Sequence, residues 1–191
     1  MDYYHEHPRI YHERTFYIDP SSFLRPITRY LAPPANILDV GCGSGRDLLW
    51  CKKRGYNVIG LERSPGLATL AREHTGCEVI QADYNRFDFS GLSMQGILLI
   101  GALVHEPKEN FPLALQNISR AIVKDGYILL SLKQGQGTSQ KQDGRVFQLW
   151  QRNELLPIFD QLNLKVLEEH QSSSELGTRE IWGSYLLRLQ T

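Results

Sequence analysis

From position 36 onward the chain alternates short apolar runs with segments whose apolar residues recur every three or four positions. Short, almost uniformly apolar runs suit strands buried on both faces, and the helical spacing between them supplies the crossovers that parallel strands need. The pattern predicts strands at 37–40, 57–61, 78–81, 95–100 and 127–132, with helices at 46–54, 65–74 and 111–123. Ser64 followed by Pro65 reads as a helix start, because the hydroxyl can cap the first free amides and the ring has no N–H to leave unpaired. The polar, glycine-bearing stretch 134–144 reads as a loop. After it, a helix at 154–162 precedes strands at 165–169 and 181–189, which the polar segment 170–180 separates and which can pair antiparallel. The fold class is therefore α/β: seven strands, mostly parallel, with a C-terminal antiparallel hairpin and helices on both faces.

Residues 1–35 lie outside this alternation. Two helices are expected there, at 9–18 and 20–31, with Asp19-Pro20 marking the second start and Pro33-Pro34 its stop. Seven aromatic residues fall within the first thirty positions. Phe16, Phe23 and Tyr30 suit packing onto the core, while Tyr3, Tyr4, Tyr11 and Tyr17 can equally well cover a cleft. With 191 residues, 41% of them apolar and 22% charged, the chain is read as one domain over 1–191, an N-terminal helical part at 1–35 and a core at 36–191. Lysine plus arginine equal aspartate plus glutamate at 21 each, so no bulk positive charge is available to hold a nucleic-acid backbone. The longest apolar stretch, 96–104, is about half a membrane span, and no signal peptide is visible. Cys42, Cys51 and Cys77 form no Cys-x-x-Cys pair, which suggests free thiols and a cytoplasmic location. His5, His7 and His12 match no zinc spacing, so no metal is expected. Trp50, Trp150 and Trp182 read as packing residues.

The strongest chemical signal is Ile37-Leu38-Asp39-Val40-Gly41-Cys42-Gly43-Ser44-Gly45, a buried strand running into a glycine-rich turn and then a helix. Such a turn lets backbone approach a ligand closely, with the first helical amides pointing into the site. A dinucleotide fingerprint needs glycine where Arg46 stands, so an NAD site is not indicated. The spacing Asp-x-Gly-x-Gly-x-Gly instead resembles motif I of the class I S-adenosylmethionine-dependent methyltransferases, and the resemblance extends from 35 to about 189. It implies a Rossmann-like sheet and S-adenosylmethionine as cofactor, with S-adenosylhomocysteine as product. It implies further that Asp39 helps hold the methionine end beside Gly41, Cys42, Gly43 and Gly45. Glu62, at the end of the second strand, would accept the ribose hydroxyls. Asp83, with Tyr84 and Arg63 beside the ring, would accept from the adenine amino group. The loop that opens with Gly101-Ala102 would border the methyl group, and the segment before the first strand would form a lid. Met94-Gln95-Gly96 departs from the aromatic-aspartate pair usual at the fourth strand.

Methyl transfer from a sulfonium demands alignment, exclusion of water and, for a protonated acceptor, somewhere for the proton to go. His105 follows the fourth strand and is the candidate base, since imidazole titrates near neutrality; the alternative is a histidine that only braces its loop. Lys133 and Arg145 can fix an acidic group of the acceptor or face water. Tyr4 and Tyr17 are candidate contacts to the acceptor from the lid. Almost nothing is left over for a substrate domain, so a small-molecule acceptor is expected, with no nucleic acid or membrane partner and a monomer or homodimer. An RNA or protein methyltransferase and a non-catalytic cofactor-binding protein stay open as alternatives.

Overall fold

Nine strands and seven helices are described by a computed structural model of residues 3–190; positions 1, 2 and 191 of the expected domain lie outside it. The strands β1 (Asn36–Val40), β2 (Asn57–Glu62), β3 (Glu78–Gln81), β4 (Met94–Ile100) and β5 (Ile122–Lys133) pair in parallel. β9 (Ile181–Leu189) joins β5 antiparallel and β8 (Leu164–Ser173) closes the edge, giving the order β3-β2-β1-β4-β5-β9-β8. β6 (Thr138–Gln140) and β7 (Val146–Gln148) form a separate two-stranded hairpin.

Alternation along the strands sorts the core into two faces. Leu38, Ile97, Ile128 and Leu187 are register partners in one row, and they pack with Phe111, Leu115 and Ile118 of α6 (Phe111–Ser119) and Leu155 and Phe159 of α7 (Arg152–Gln161). The adjacent row, Leu98, Leu129 and Leu186, faces Leu24 and Ile27 of α3 (Ser21–Thr28) and Trp50 of α4 (Arg46–Lys52). Asp39 is the fourth member of that second row, paired with Leu98. An acid thus stands where the pattern would put a leucine. α5 (Pro65–Thr75) covers β2 and β3, with Ser64 Oγ capping it by accepting from the Leu67 amide.

The strand order reverses between β1 and β4, where parallel sheets of this kind open a crevice at their carboxyl ends. Over that opening lie α1 (Tyr3–Glu6) and α2 (Pro8–Thr15), both resting on α5. Among the described residues no helix is long and apolar enough to cross a membrane.

Four sequence expectations need correction. The helix expected at 9–18 is α2, which starts at Pro8 and stops at Thr15, and a further short helix, α1, precedes it. The helix expected at 111–123 stops at Ser119 because Ile122 pairs with Met94 and extends β5 backwards. The loop 134–144 contains β6, tied to β7 around the buried Phe147. β8 runs to Ser173, four residues past the expected end, because a strand at the sheet edge needs main-chain pairing and not apolar side chains.

Candidate active site

The glycine turn is built from main chain. The amides of Gly41 and Cys42 both donate to the Leu61 carbonyl, at 2.7 and 3.2 Å, which bends the chain over the end of β2. Gly43, at φ +57°, then turns its amide onto Glu62 Oε2 at 2.9 Å, while the Ser64 amide donates to Oε1 at 2.8 Å. A Cβ on Gly43 would stand 3.2 Å from the Tyr11 ring, so glycine is needed both for the backbone angle and for the approach of that tyrosine. Burial pushes the Glu62 carboxyl above its ordinary value, and the backbone N–H bonds oppose the shift. The carboxylate lines a cavity of about 230 Å³.

Leu61, Leu67 and Ala82 give that cavity an apolar wall, and Arg63, Asp83, Tyr84 and Asn85 close its far side. Asp83 Oδ1 accepts from the Asn85 amide at 2.9 Å, fixing the turn after β3. Tyr84 Oη and Asn85 Nδ2 both donate to Glu106 Oε2, at 2.8 and 3.0 Å. The buried Glu106 therefore sets the orientation of two cleft residues, a role that sequence reasoning missed although it stands next to His105.

Gly101, Ala102 and His105 form the third side. His105 is held at both ring nitrogens: Nδ1–H donates to the Val146 carbonyl at 2.5 Å, so Nε2 is left to accept from Tyr4 Oη–H at 2.8 Å. Tyr4 is placed in turn by Ser64 Oγ, which donates to its carbonyl at 2.8 Å, and by an edge-on contact with Tyr11. Burial raises the Tyr4 phenol well above its ordinary value.

Tyr4, Tyr11, Ile100 and Gly101 also line a second cavity of about 520 Å³ on the other side. It is walled by Phe23, Val104, Phe147, Leu176 and Trp182, with Lys133, Lys141, Arg145 and Glu180 at its polar end. Arg145 is clamped by both oxygens of Asp143, at 3.0 and 2.6 Å, and stacks 4.0 Å over Tyr3. The hydrogen bond from Arg145 holds Asp143 down at about 2.

The first cavity thus brings together Tyr4, Gly41, Gly43, Glu62, Arg63, Asp83, Tyr84, Gly101, Ala102 and His105. Lys133 and Arg145 lie with Tyr4 on the second. Three expected cofactor residues sit behind the turn. Asp39 is buried with Oδ2 unpartnered, Cys42 is buried in a cluster with Leu48 and Ala68, and a Cβ on Gly45 would stand 2.7 Å from Thr75. Tyr17 is 77% exposed beside His12 and Phe16 and lines neither cavity, so its expected contact with the acceptor is corrected. Trp182 is corrected the other way: expected only to pack, it also faces the second cavity. Lys141 and Glu180 carried no sequence signal, because they come from a hairpin tip and from the turn between β8 and β9.

The sheet order, the turn after β1 and the carboxylates at the ends of β2 and β3 are those of a class I S-adenosylmethionine-dependent methyltransferase fold, and residues 37–126 match the methyltransferase domain. A ribosomal protein L11 methyltransferase of Thermosipho africanus is 27% identical over 107 residues, which are 55% of this chain and 40% of the relative. The chain spans about 40% of the length of the curated relatives it matches. Among solved structures, 1,6-didemethyltoxoflavin-N1-methyltransferase of Burkholderia thailandensis, with 1,6-didemethyltoxoflavin and S-adenosylhomocysteine bound, superposes with a TM-score of 0.78 at 19% identity, over 99% of this chain and 84% of the other. A TehB-like S-adenosylmethionine-dependent methyltransferase of Corynebacterium glutamicum gives 0.70 at 20% identity, over 97% and 99%.

Proposed function

We propose that the protein transfers the methyl group of S-adenosylmethionine to a small-molecule acceptor held in the second cavity. The observation that carries this reading is the pair of adjoining cavities, one edged by the glycine turn, Glu62 and Asp83, the other apolar with a polar end, sharing Tyr4, Tyr11, Ile100 and Gly101 as their common wall. The residues fit the cofactor. Glu62 presents two oxygens to a vicinal diol, and Asp83 an acceptor to an amino group. The apolar wall at Leu61, Leu67 and Ala82 suits a flat ring, and the buried, unpartnered Oδ2 of Asp39 lies behind the turn where a polar methionine end would come. When bound, the sulfonium supplies a methyl group already activated for displacement.

The chain's own residues then align, enclose and deprotonate. Tyr4 and Tyr11 stand between the cavities and exclude water from the path. An acceptor bearing O–H or N–H meets Tyr4 Oη first, and His105 Nε2 takes the phenol proton as the phenol takes the acceptor's, leaving an imidazolium whose second N–H is already held by Val146. The Burkholderia thailandensis enzyme, crystallised with a small heterocycle, supports the small-molecule reading. The name of the Thermosipho africanus relative points to a protein acceptor, and the walls of the second cavity favour the smaller one.

Calorimetric titration with S-adenosylmethionine, S-adenosylhomocysteine and NAD tests the reading. Binding of the first two alone is expected. Binding of none, or of NAD, removes it.

A further inference from the structure

The polar end of the second cavity contains an ion-pair arrangement that does not balance. Lys133 Nζ and Lys141 Nζ both end on Glu180 Oε1, at 2.6 and 2.7 Å, while Glu180 Oε2 accepts from Thr178 Oγ1 at 2.8 Å. Two ammonium groups thus share one carboxylate. Of the other charged groups on this cavity, Arg145 is matched by Asp143 and Arg46 by Asp47, each through two hydrogen bonds, while Arg14 and Glu175 add one charge of each sign. Lys141 is partly exposed, but Lys133 is not. Lys133 is 4% exposed, with its ammonium 3.5 Å over the Phe147 ring and 5.6 Å from that of Trp182. A charge so placed is poorly screened, and an anion brought beside it interacts more strongly than it would in water.

Two further observations agree. Burial is the main cause that lowers the Lys133 pKa against its bond to Glu180, and Lys141 and Arg145 add to the lowering, so neighbouring cations crowd this ammonium. Burial alone would raise Glu180, yet its bonds from Lys133, Lys141 and Thr178 outweigh that and hold it at about 2. Phe147 and Trp182 set flat apolar faces beside the Lys133 ammonium, and Val104 lines the same cavity.

We propose that the acceptor is a flat aromatic acid with one negative charge, its anionic group seated against Lys133 and Lys141 and its ring along Phe147 and Trp182. The inference rests on the methyltransferase reading for the word acceptor; the anion seat itself rests on the ion-pair geometry. A single surplus charge favours a monoanion over a doubly charged phosphate ester. Glu180 then serves as a stand-in, satisfying the lysines until the ligand arrives and competing with it for them.

Equilibrium dialysis of the full chain, with and without S-adenosylhomocysteine, against naphthoate, naphthol and naphthylmethylamine separates charge from shape. Naphthoate is expected to bind about tenfold tighter than naphthol and the amine more weakly still, and added salt should narrow the gap. Lys141 lies on the hairpin tip with a partly exposed side chain, so Lys141→Gln should leave the fold intact, weaken naphthoate by about tenfold and leave naphthol unchanged. Glu180→Gln should tighten naphthoate, because it removes the competitor. A purely structural ion pair predicts the opposite sign. Equal binding of naphthoate and naphthol, failure of all three probes to bind, or weakening of naphthoate by Glu180→Gln overturns the proposal. Loss of S-adenosylhomocysteine binding counts against the methyltransferase reading alone, since the naphthoate comparison is also made without it.

Discussion

The two cavities are assembled in different ways. The smaller one is made where parallel strands end, from turns whose geometry is set by main-chain bonds: Gly41 and Cys42 to Leu61, Gly43 and Ser64 to Glu62, Asn85 to Asp83. Its key residues lie within a few positions of the strand that carries them. The larger one is collected from α2, the β6–β7 hairpin and the ends of β8 and β9, and its polar residues are oriented by ion pairs across long sequence separations, as in Lys133 with Glu180. A ligand with one chemistry can be bound by the first kind of site through many changes of side chain elsewhere, whereas the second kind can change its ligand by exchanging two or three side chains of its wall.

The contrast can be broken most sharply beside their common wall, at the histidine that holds Tyr4. Replacing His105 with Gln removes the proton acceptor of the proposed reaction and should lower turnover by about 10²- to 10⁴-fold, with S-adenosylhomocysteine affinity almost unchanged. If affinity falls in step with turnover, His105 belongs to the cofactor side. Glu62→Ala comes next, with an expected loss of about 1.5–3 kcal/mol in S-adenosylhomocysteine binding by calorimetry. It should also lower the melting temperature, because the Gly43 and Ser64 amides lose their acceptor. Unchanged affinity would take Glu62 out of the site.

A smaller effect, of opposite sign, is expected at Asp39. Burial, the nearby Asp47 and Glu62 raise its carboxyl well above the ordinary 3.8 against the pull of Arg46. The folded chain therefore holds this proton more tightly than the unfolded chain does. Its contribution to stability is greatest below 3.8 and falls as pH rises through the window up to the raised value. Asp39→Asn should consequently stabilise the ligand-free protein by on the order of 1 kcal/mol at neutral pH, with the gain shrinking as pH approaches 3.8. Denaturant melts of both proteins across that range read the difference, and a constant offset would assign the shift elsewhere. Tyr17→Ala should do least: on a side chain 77% exposed, stability is expected to move by no more than about 0.5 kcal/mol and affinity for any ligand not at all.

The same contrast explains what could be read in the sequence. The strands of the sheet, their parallel pairing and the antiparallel C-terminal hairpin followed from apolar runs whose burial needs no partner to be recognised. The glycine turn, Glu62 and Asp83 were visible because each stands at a strand end, so their spacing along the chain translates directly into position at one edge. Asp39 was visible as a motif residue, but its setting in a row with Leu98, Leu129 and Leu186 required the register. The β6–β7 hairpin was hidden because a single buried Phe147 anchors it, too little for a pattern. Glu180 and Lys141 meet only because the hairpin folds over the turn between β8 and β9, a juxtaposition with no local trace. Tyr4 and Tyr17 looked alike as lid residues; the helix break at Pro8 and the contact with His105 separate them.

The tryptophans give the molecule an optical consequence. Trp50 is buried against α3, with its indole N–H donated to Ser21 Oγ, and Trp150 is buried against Phe111, so their emission reports the integrity of the two faces of the sheet. Trp182 lies against the ammonium of Lys133 on the wall of the larger cavity. The smaller cavity has tyrosines but no tryptophan among its lining residues. Occupancy of one chamber should therefore alter tryptophan fluorescence directly, while occupancy of the other is seen through tyrosine absorption, and a double replacement of Trp50 and Trp150 by Phe would leave a protein whose remaining indole reads one ligand by colour.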